Sequence, residues 1–155
     1  MRAFTLAAAV LLGLAPAAPA LAQDRPADTL EILLEKIRSD KKLLVATNMS
    51  LTEAEAKGFW PVYEEYQTAL ADINRRTGQM ITQYAETGGK VPEELAGKML
   101  DDFVKLEKDR AALLETFRPR FGKVLPATKV ARYYQIENKI KAVVMYELAS
   151  VIPLM

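Results

Sequence analysis

The strongest constraint on the fold is an unbroken apolar repeat between residues 59 and 84. Its members follow one another at alternating spacings of four and three residues, with Thr77 in step: Phe59, Tyr63, Tyr66, Leu70, Ile73, Met80 and Tyr84. Such a repeat gives an α-helix one apolar side, as in a coiled coil. Thr52 and Glu55 precede it with the spacing of a capping box, in which each side chain accepts from the other residue's backbone N–H. The pattern predicts a helix from Thr52 to about Tyr84.

Three further segments show helical periodicity, and none alternates as a strand would. The first begins with a second capping box, Asp28 and Glu31, and ends at residues 48–50. The third and fourth begin at Pro92 and Pro126, because proline is tolerated in the first turn of a helix. Their apolar positions are Leu30, Leu33, Leu34, Ile37, Leu44 and Val45 in the first; Met99, Phe103, Leu106, Leu113, Phe117 and Phe121 in the third; and Val130, Tyr133, Tyr134, Ile140, Val144 and Leu148 in the fourth.

These segments predict an all-α fold of four helices. Residues 87–90 and 122–125 are the expected turns between the second and third and between the third and fourth helices. Pro61 and Pro119 fall inside predicted helices, where each removes a backbone donor and crowds the preceding turn, so we expect kinks near both.

The first 22 residues have the pattern of a secretory signal peptide. Arg2 is the positive start, residues 4–14 form an apolar core, and residues 20–22 form a small-x-small cleavage site. The apolar run is about half of the ~20 residues that a membrane span needs. We therefore expect no transmembrane span, cleavage after Ala22 and export, which in a Gram-negative bacterium means the periplasm. Removing 22 of the 155 residues leaves one domain of 133, residues 23–155.

The chain contains no cysteine and no histidine. Disulfides, zinc sites built from these residues, cysteine nucleophiles and histidine-based triads are therefore excluded. Acidic pairs such as Glu64-Glu65 and Asp101-Asp102 are adjacent in sequence, so on a helix they point about 100° apart and are typical of solvated charges. The sequence has no glycine-rich phosphate loop. We therefore expect no catalysis, no metal site and no cofactor.

The charges are balanced overall but divided along the chain. Residues 23–117 carry 13 basic and 18 acidic side chains, whereas residues 118–155 carry 7 basic and 2 acidic ones. A neutral mature chain has no overall field for nucleic acid. The basic end either neutralises acidic neighbouring helices or forms a cationic surface for an acidic partner or membrane face. The residues expected on such a surface, with two aromatic neighbours, are Arg118, Arg120, Lys123, Arg132, Trp60 and Tyr134.

Two charges interrupt the apolar stripes of the third and fourth helices, Arg110 and Glu137. In an antiparallel hairpin turning near residue 124 they lie 14 and 13 residues from the turn, and so at the same level. A lone buried charge is very costly and a paired one is tolerable. The spacing predicts a structural ion pair between Arg110 and Glu137; Glu137 as a general acid or ion ligand is the less favoured alternative.

A short pattern occurs twice. Residues 51–55 (Leu-Thr-Glu-Ala-Glu) precede Phe59-Trp60, and residues 125–129 (Leu-Pro-Ala-Thr-Lys) precede Tyr133-Tyr134 at the same offset. With the signal peptide and the helical pattern, this resembles the Spy/CpxP family of periplasmic proteins, which carry paired Leu-Thr-x-x-Gln motifs. The matching positions here are Leu51, Thr52, Glu55, Leu125, Pro126 and Lys129. Glutamate and lysine stand where the family has glutamine, and the resemblance covers about residues 28–150.

The resemblance implies long antiparallel helical hairpins, often dimerised, with chaperone-like, stress-protective or signal-modulating roles. The expected partners are unfolded or envelope protein clients. Two alternatives stay open: a regulatory partner of one envelope sensor protein, and a structural helical interaction module. Long helices in a 133-residue chain also leave a seam for a second copy, in which case the protein is a homodimer, unless a compact bundle buries everything within one chain.

Overall fold

The computed structural model describes residues 40–154, and the described chain is all α-helical. We number its helices α1 (residues 40–49), α2 (Glu53–Glu86), α3 (Glu93–Gly122) and α4 (Ala127–Val151). The predicted all-α fold of four helices is confirmed. The predicted signal peptide and the predicted start of the first helix, with Asp28, Glu31 and the leucines that follow, lie outside the described residues.

The start of α2 is the capping box that the sequence predicts. The Thr52 hydroxyl accepts from the Glu55 backbone N–H at 3.3 Å, and the Thr52 N–H donates to the Glu55 carboxylate at 2.8 Å. At α3 and α4 the helix begins one residue later than predicted, because Pro92 and Pro126 have extended ψ angles of 148° and 150° and act as N-caps. Thus all three starts are fixed by local chemistry within one residue of the expected position.

Left-handed backbone marks two of the turns. Ser50, between α1 and α2, has a φ of 49°. Gly88 and Gly89, between α2 and α3, have φ of 59° and 82°, a region that glycine enters without the clash that a Cβ would cause.

Pro61 and Pro119 lie at exposed positions inside α2 and α3. Both helices continue beyond these prolines, and the predicted kinks stay a prediction.

Side-chain pairs show how the helices run. Arg120 near the end of α3 pairs with Glu65 early in α2, and Asp109 pairs with Arg76 at 2.7 Å farther along, so α2 and α3 run in opposite directions. The Tyr134 hydroxyl donates to the Leu114 carbonyl at 3.3 Å, which lays the first half of α4 on α3.

The short α1 lies against both α2 and α4. Lys42 pairs with Glu64, and the Lys41 ammonium donates to the Gln67 side chain at 2.9 Å. Val45 and Met49, four residues apart, are fully buried. Leu44 was expected on the same side, but it is 45% exposed, because α1 turns only the Val45–Met49 edge toward the core.

The main core is aromatic and sits at the end of the molecule where α3 turns into α4. Tyr133 is its centre: its ring lies 5.3 Å from Phe59 and 4.8 Å from Phe121, centroid to centroid. Tilted and edge-on ring pairs of this kind add to the burial energy. The buried members of this core are Val45, Met49, Phe59, Tyr63, Tyr66, Leu70, Phe117, Phe121, Leu125, Val130, Tyr133 and Ile136. A smaller cluster toward the other end contains Val144 and Leu148.

The predicted apolar side of α3 needs one correction. Met99, Leu106, Phe117 and Phe121 are buried as expected, but Phe103 is 51% exposed. The polar contacts that the described residues make between α3 and α4 end at the Glu107–Lys141 pair, at 3.0 Å. Phe103 lies one turn beyond that pair, where no such contact holds α4 against this edge of α3.

Candidate functional site

The two copies of the short pattern meet in the structure. Glu55 of the first copy forms an ion pair with Lys129 of the second, and the same ammonium donates to the Ser50 carbonyl at 2.9 Å. The hydrogen bond from Lys129, followed by that from the Thr52 backbone, holds the pKa of Glu55 below its ordinary value. Glu55 and Lys129, which stand where the Spy/CpxP motifs have glutamine, therefore form an ion pair that links the start of α2 to the start of α4.

The aromatic pairs that follow the two copies divide between core and edge. Phe59 and Tyr133 are fully buried and in contact, whereas Trp60 and Tyr134 are half-buried at the rim of the core. Burial raises the pKa of Tyr134 to about 12, against an opposing effect of nearby Arg118. Lys42 lies 5.3 Å from the centre of the Trp60 ring, a cation–π distance.

The basic residues expected on a partner-binding surface have different surroundings. Arg120 pairs with Glu65 and stacks 4.6 Å from the Phe117 ring, so its charge is engaged within the molecule. Arg118, Lys123 and Arg132 are exposed near the α3–α4 turn. Trp60 and Tyr134 are packed against the core, so the structure brings only the cationic part of the predicted surface into full contact with solvent.

Glu137, the buried charged residue of α4, pairs with Lys41 and not with the predicted Arg110. One Glu137 oxygen accepts from the Lys41 ammonium at 2.7 Å, and the other accepts from the Gln67 amide nitrogen at 2.9 Å. The Gln67 oxygen in turn accepts from Lys41 at 2.9 Å, and its nitrogen also donates to the Tyr133 hydroxyl at 3.1 Å. The result is a closed buried network joining α1, α2 and α4.

The predicted Arg110–Glu137 pair is corrected accordingly. Arg110 donates to the Asn74 side-chain oxygen at 3.2 Å, and its Nε lies 3.9 Å from Glu107. This Nε is buried and makes no hydrogen bond with the described residues. The two residues are at nearly the same level, as the Glu107–Lys141 pair shows, but Glu137 points toward α1 and α2.

A groove of about 540 Å³ lies beside this network, between α2 and α4; we call it the α2–α4 groove. Lys41 of α1 stands at one end, and Arg110 and Leu114 of α3 contribute to the floor. Its apolar walls are Leu70, Ala71, Ile81, Ile140, Val144 and Leu148. Sequence reasoning missed this groove; the one signal for it was Gly78, a glycine inside an otherwise regular helical pattern, which also lines it.

A second apolar surface runs along an exposed side of α3 and reaches the floor of the α2–α4 groove at Leu114. Four of its large apolar side chains are exposed: Leu100 (63%), Phe103 (51%), Val104 (43%) and Leu114 (37%). Their spacing from Leu100, by 3, 4 and 14 residues, places them within an arc of about 100° on a helix. We call these four residues the α3 stripe. The apolar pattern of the sequence predicts a core position for Phe103 and does not single out the other three.

The chemistry that these surfaces offer is binding through apolar contact and charge. Within residues 40–154, no group of three or more acidic side chains is placed to hold a metal ion. In the same part of the chain, no helix is long and apolar enough to cross a membrane.

Comparisons of the chain with protein-family models, with curated proteins and with solved structures gave no match. The resemblance to the Spy/CpxP family therefore stays a prediction from the two short motifs.

Proposed function

We propose that the protein is a non-catalytic, ATP-independent chaperone-like protein of the cell envelope. In this proposal it binds the apolar segments that unfolded client proteins expose. The location follows from the predicted signal peptide and the role from the family resemblance. The structural observation that supports the proposal is the α3 stripe.

The α3 stripe offers binding energy that folding has not used. Burying one leucine or phenylalanine side chain stabilises a contact by roughly 1.5–3 kcal/mol. Isolated exposed apolar residues are ordinary, but four on one side of one helix form a patch of the kind that marks interaction sites. Leu100 and Phe103, the two most exposed of the four, are its centre.

The charges along α3 favour a broad range of clients over one specific partner. Lys98 pairs with Asp102 and Lys105 with Asp109, each four residues apart on the same helix. Charges of both signs that already neutralise one another select weakly for the charge of a partner.

The test is a light-scattering aggregation assay without ATP, with three unrelated unfolding proteins and graded amounts of mature protein. Leu100→Ser/Phe103→Ser removes the centre of the α3 stripe. The matched control is Lys108→Ser/Glu115→Ser, which changes two exposed charged residues of the same helix. Far-UV circular dichroism checks that both variants keep their helix content.

We expect the natural sequence and the control to suppress aggregation of all three clients, and the stripe variant to need a severalfold higher ratio. No suppression by the natural sequence at a severalfold excess would overturn the chaperone proposal, and specific crosslinking to a single envelope protein would then support the regulatory alternative. Equal activity of the stripe variant would remove the α3 stripe as the binding surface.

A further inference from the structure

The exposed side of α3 carries an apolar repeat of its own. Its members follow one another at spacings of 3, 4, 3, 4 and 3 residues, and all six are exposed: Gly97, Leu100, Val104, Glu107, Ala111 and Leu114. We call these six residues the α3 seam. It contains three members of the α3 stripe, and the fourth, Phe103, lies along one edge. Such a repeat stays on one side of a helix, here over 17 residues, about 26 Å.

The sizes of the seam residues suit the packing of a second helix. The large side chains Leu100, Val104 and Leu114 are interrupted by the small residues Gly97 and Ala111. When two helices pack side by side, each side chain of one inserts between four residues of the other, and a small residue leaves room for a large one of the partner. The seam thus offers both knobs and holes.

The backbone of α3 also favours a helical partner over an extended one. In the middle of α3 the N–H and C=O groups are paired within the helix. An extended segment laid on α3 would find no backbone partner there, and its own N–H and C=O groups would lose water without replacement. A helix satisfies these groups itself, so it can bury an apolar side on α3 without that cost.

A row of charged side chains runs beside the seam. Its members are spaced by seven residues, so they lie nearly in line along the helix: Glu94, Asp101, Lys108 and Glu115. We call them the α3 row. All four are exposed, and none of them forms an ion pair with another of the described residues. Three of the four are acidic, which gives the row a net charge of −2, and Asp101 lies within one turn of the centre of the α3 stripe.

The paired charges of α3 lie farther from the seam than the row does. Asp109, which pairs with Lys105, also pairs with Arg76 of α2, so this side of α3 faces α2. The α3 row lies between that side and the seam. Glu107 belongs to the seam, but its charge is already paired with Lys141. The unpaired charges beside a docked helix are therefore those of the row, and they are mostly negative.

We propose that the α3 seam binds basic amphipathic α-helices. In such segments apolar residues recur at spacings of three and four, and lysine or arginine occupies the flanking positions. The apolar side of the client covers the α3 stripe, and its basic side chains pair with the acidic members of the α3 row. This inference rests on the proposed function, because it names the class of client that α3 recognises.

The probes are three synthetic peptides of about 18 residues, which make about five turns of helix. The first has leucines at alternating spacings of three and four, with lysines at the flanking positions. The second has glutamate in place of every lysine. The third has the composition of the first with leucine at every second residue, so it is amphipathic as a strand and not as a helix. Fluorescence anisotropy measures the binding of each labelled peptide to the mature protein, and far-UV circular dichroism measures helix formation on binding.

Charge reversal at two positions of the row tests where the selectivity arises. The variant is Glu94→Lys/Asp101→Lys. The matched control is Glu53→Lys/Glu147→Lys, because Glu53 lies in the first turn of α2 as Glu94 does in α3, and Glu147 is exposed on α4. Both variants change the net charge by the same amount.

We expect the basic helical peptide to bind about tenfold more tightly than the acidic one, because exposed ion pairs each change an affinity by a few-fold and the acidic peptide replaces attraction with repulsion. This preference should shrink at higher salt, disappear in the row variant and persist in the control. Leu100→Ser/Phe103→Ser should weaken the binding of both helical peptides severalfold.

Three results would overturn the proposal. The first is equal binding of the basic and acidic helical peptides, and the second is binding of the strand-patterned peptide as tight as that of the helical one. The third is a basic preference that survives reversal of the row. Size-exclusion chromatography with mass detection adds a further check, because a natural sequence that is dimeric and becomes monomeric in Leu100→Ser/Phe103→Ser would show that a second copy occupies the seam.

The aggregation assay separates failure of this inference from failure of the proposed function. Suppression of aggregation together with equal binding of the three peptides would overturn the helix and charge preference and leave the proposed function standing. Selective binding of the basic helical peptide without suppression of aggregation would overturn the proposed function and leave the preference of the seam standing.

Discussion

Replacing Lys41 with methionine leaves the buried Glu137 carboxylate without its cation. Both side chains are nearly inaccessible, with 10% and 9% of their surfaces exposed. Methionine keeps the length and the apolar stem of lysine, so the change removes the charge and the two donated hydrogen bonds with little change in packing. The loss of stability therefore reports the uncompensated charge.

The expected magnitude follows from the surroundings of Glu137. Removing one partner of a buried ion pair typically costs about 3–5 kcal/mol, because the remaining charge has lost both water and its counter-ion. Here the Gln67 amide still donates to Glu137 after the change, which places the expected loss near the lower end, about 3 kcal/mol. Small proteins are stable by only about 5–15 kcal/mol, so such a loss shifts the unfolding midpoint clearly.

The neighbouring lysine provides a matched control. Lys42 also pairs with a glutamate of α2, Glu64, but both of these side chains are more than half exposed. Exposed pairs contribute about 0–1 kcal/mol. Lys42→Met therefore makes the same chemical change one residue away and, with the loss of the cation–π contact to Trp60 included, should cost no more than about 2 kcal/mol.

The assay is urea unfolding of the mature protein, followed by the fluorescence of its single tryptophan, Trp60, and by circular dichroism. Lys41→Met/Glu137→Leu removes both charges and should recover part of the loss, because no buried charge is left unpaired. A cost for Lys41→Met no larger than that for Lys42→Met would refute the buried network as described.

Three further predictions concern the cap and the titrating groups. Thr52→Ala removes the side-chain acceptor of the α2 capping box and should cost about 1 kcal/mol in urea unfolding; no loss would contradict the cap. Burial raises the pKa of Tyr63, Tyr66 and Tyr133 above the ordinary value of 10. The stability that these tyrosines contribute below pH 10 should therefore be lost as the pH rises above 10. Thermal melts between pH 9 and 11.5 check this, and a melting temperature that does not change with pH would contradict it. The pKa of Glu55 is lowered by Lys129, so its contribution should be present above pH 4.5 and lost as the pH falls below it, and Glu55→Gln should weaken that acid dependence.

The elements that sequence reasoning placed correctly depend on local chemistry. The capping box of Thr52 and Glu55 involves residues three apart, and its two hydrogen bonds are present. The repeat from Phe59 to Tyr84 defines one side of α2 whatever packs against it, and its members are buried except for Thr77 and Met80, which are half-buried. Such features need no knowledge of the neighbouring helices.

The candidate surfaces could not be predicted in the same way, because exposure depends on which helix covers which edge. Met99 and Phe103 have the same apolar character and lie one turn apart, yet one is buried and the other is half exposed. Met99 shares the side of α3 that carries the buried Leu106, whereas Phe103 lies about 60° from Leu106, on the side where the contacts with α4 end at the Glu107–Lys141 pair. No pattern within α3 itself contains that information.

The corrected partner of Glu137 and the exposure of the α3 stripe have a common origin in the packing of α4. The distance of a residue from a hairpin turn gives its level along the two helices, and by this distance Arg110 and Glu137 are nearly level. It does not give the direction of the side chain, which a third helix decides. Here Lys41, 96 residues before Glu137, supplies the cation, so the buried side of α4 is shared between α1, α2 and α3. A helix that divides its buried side in this way covers less of α3, and the uncovered edge of α3 is where Phe103 lies.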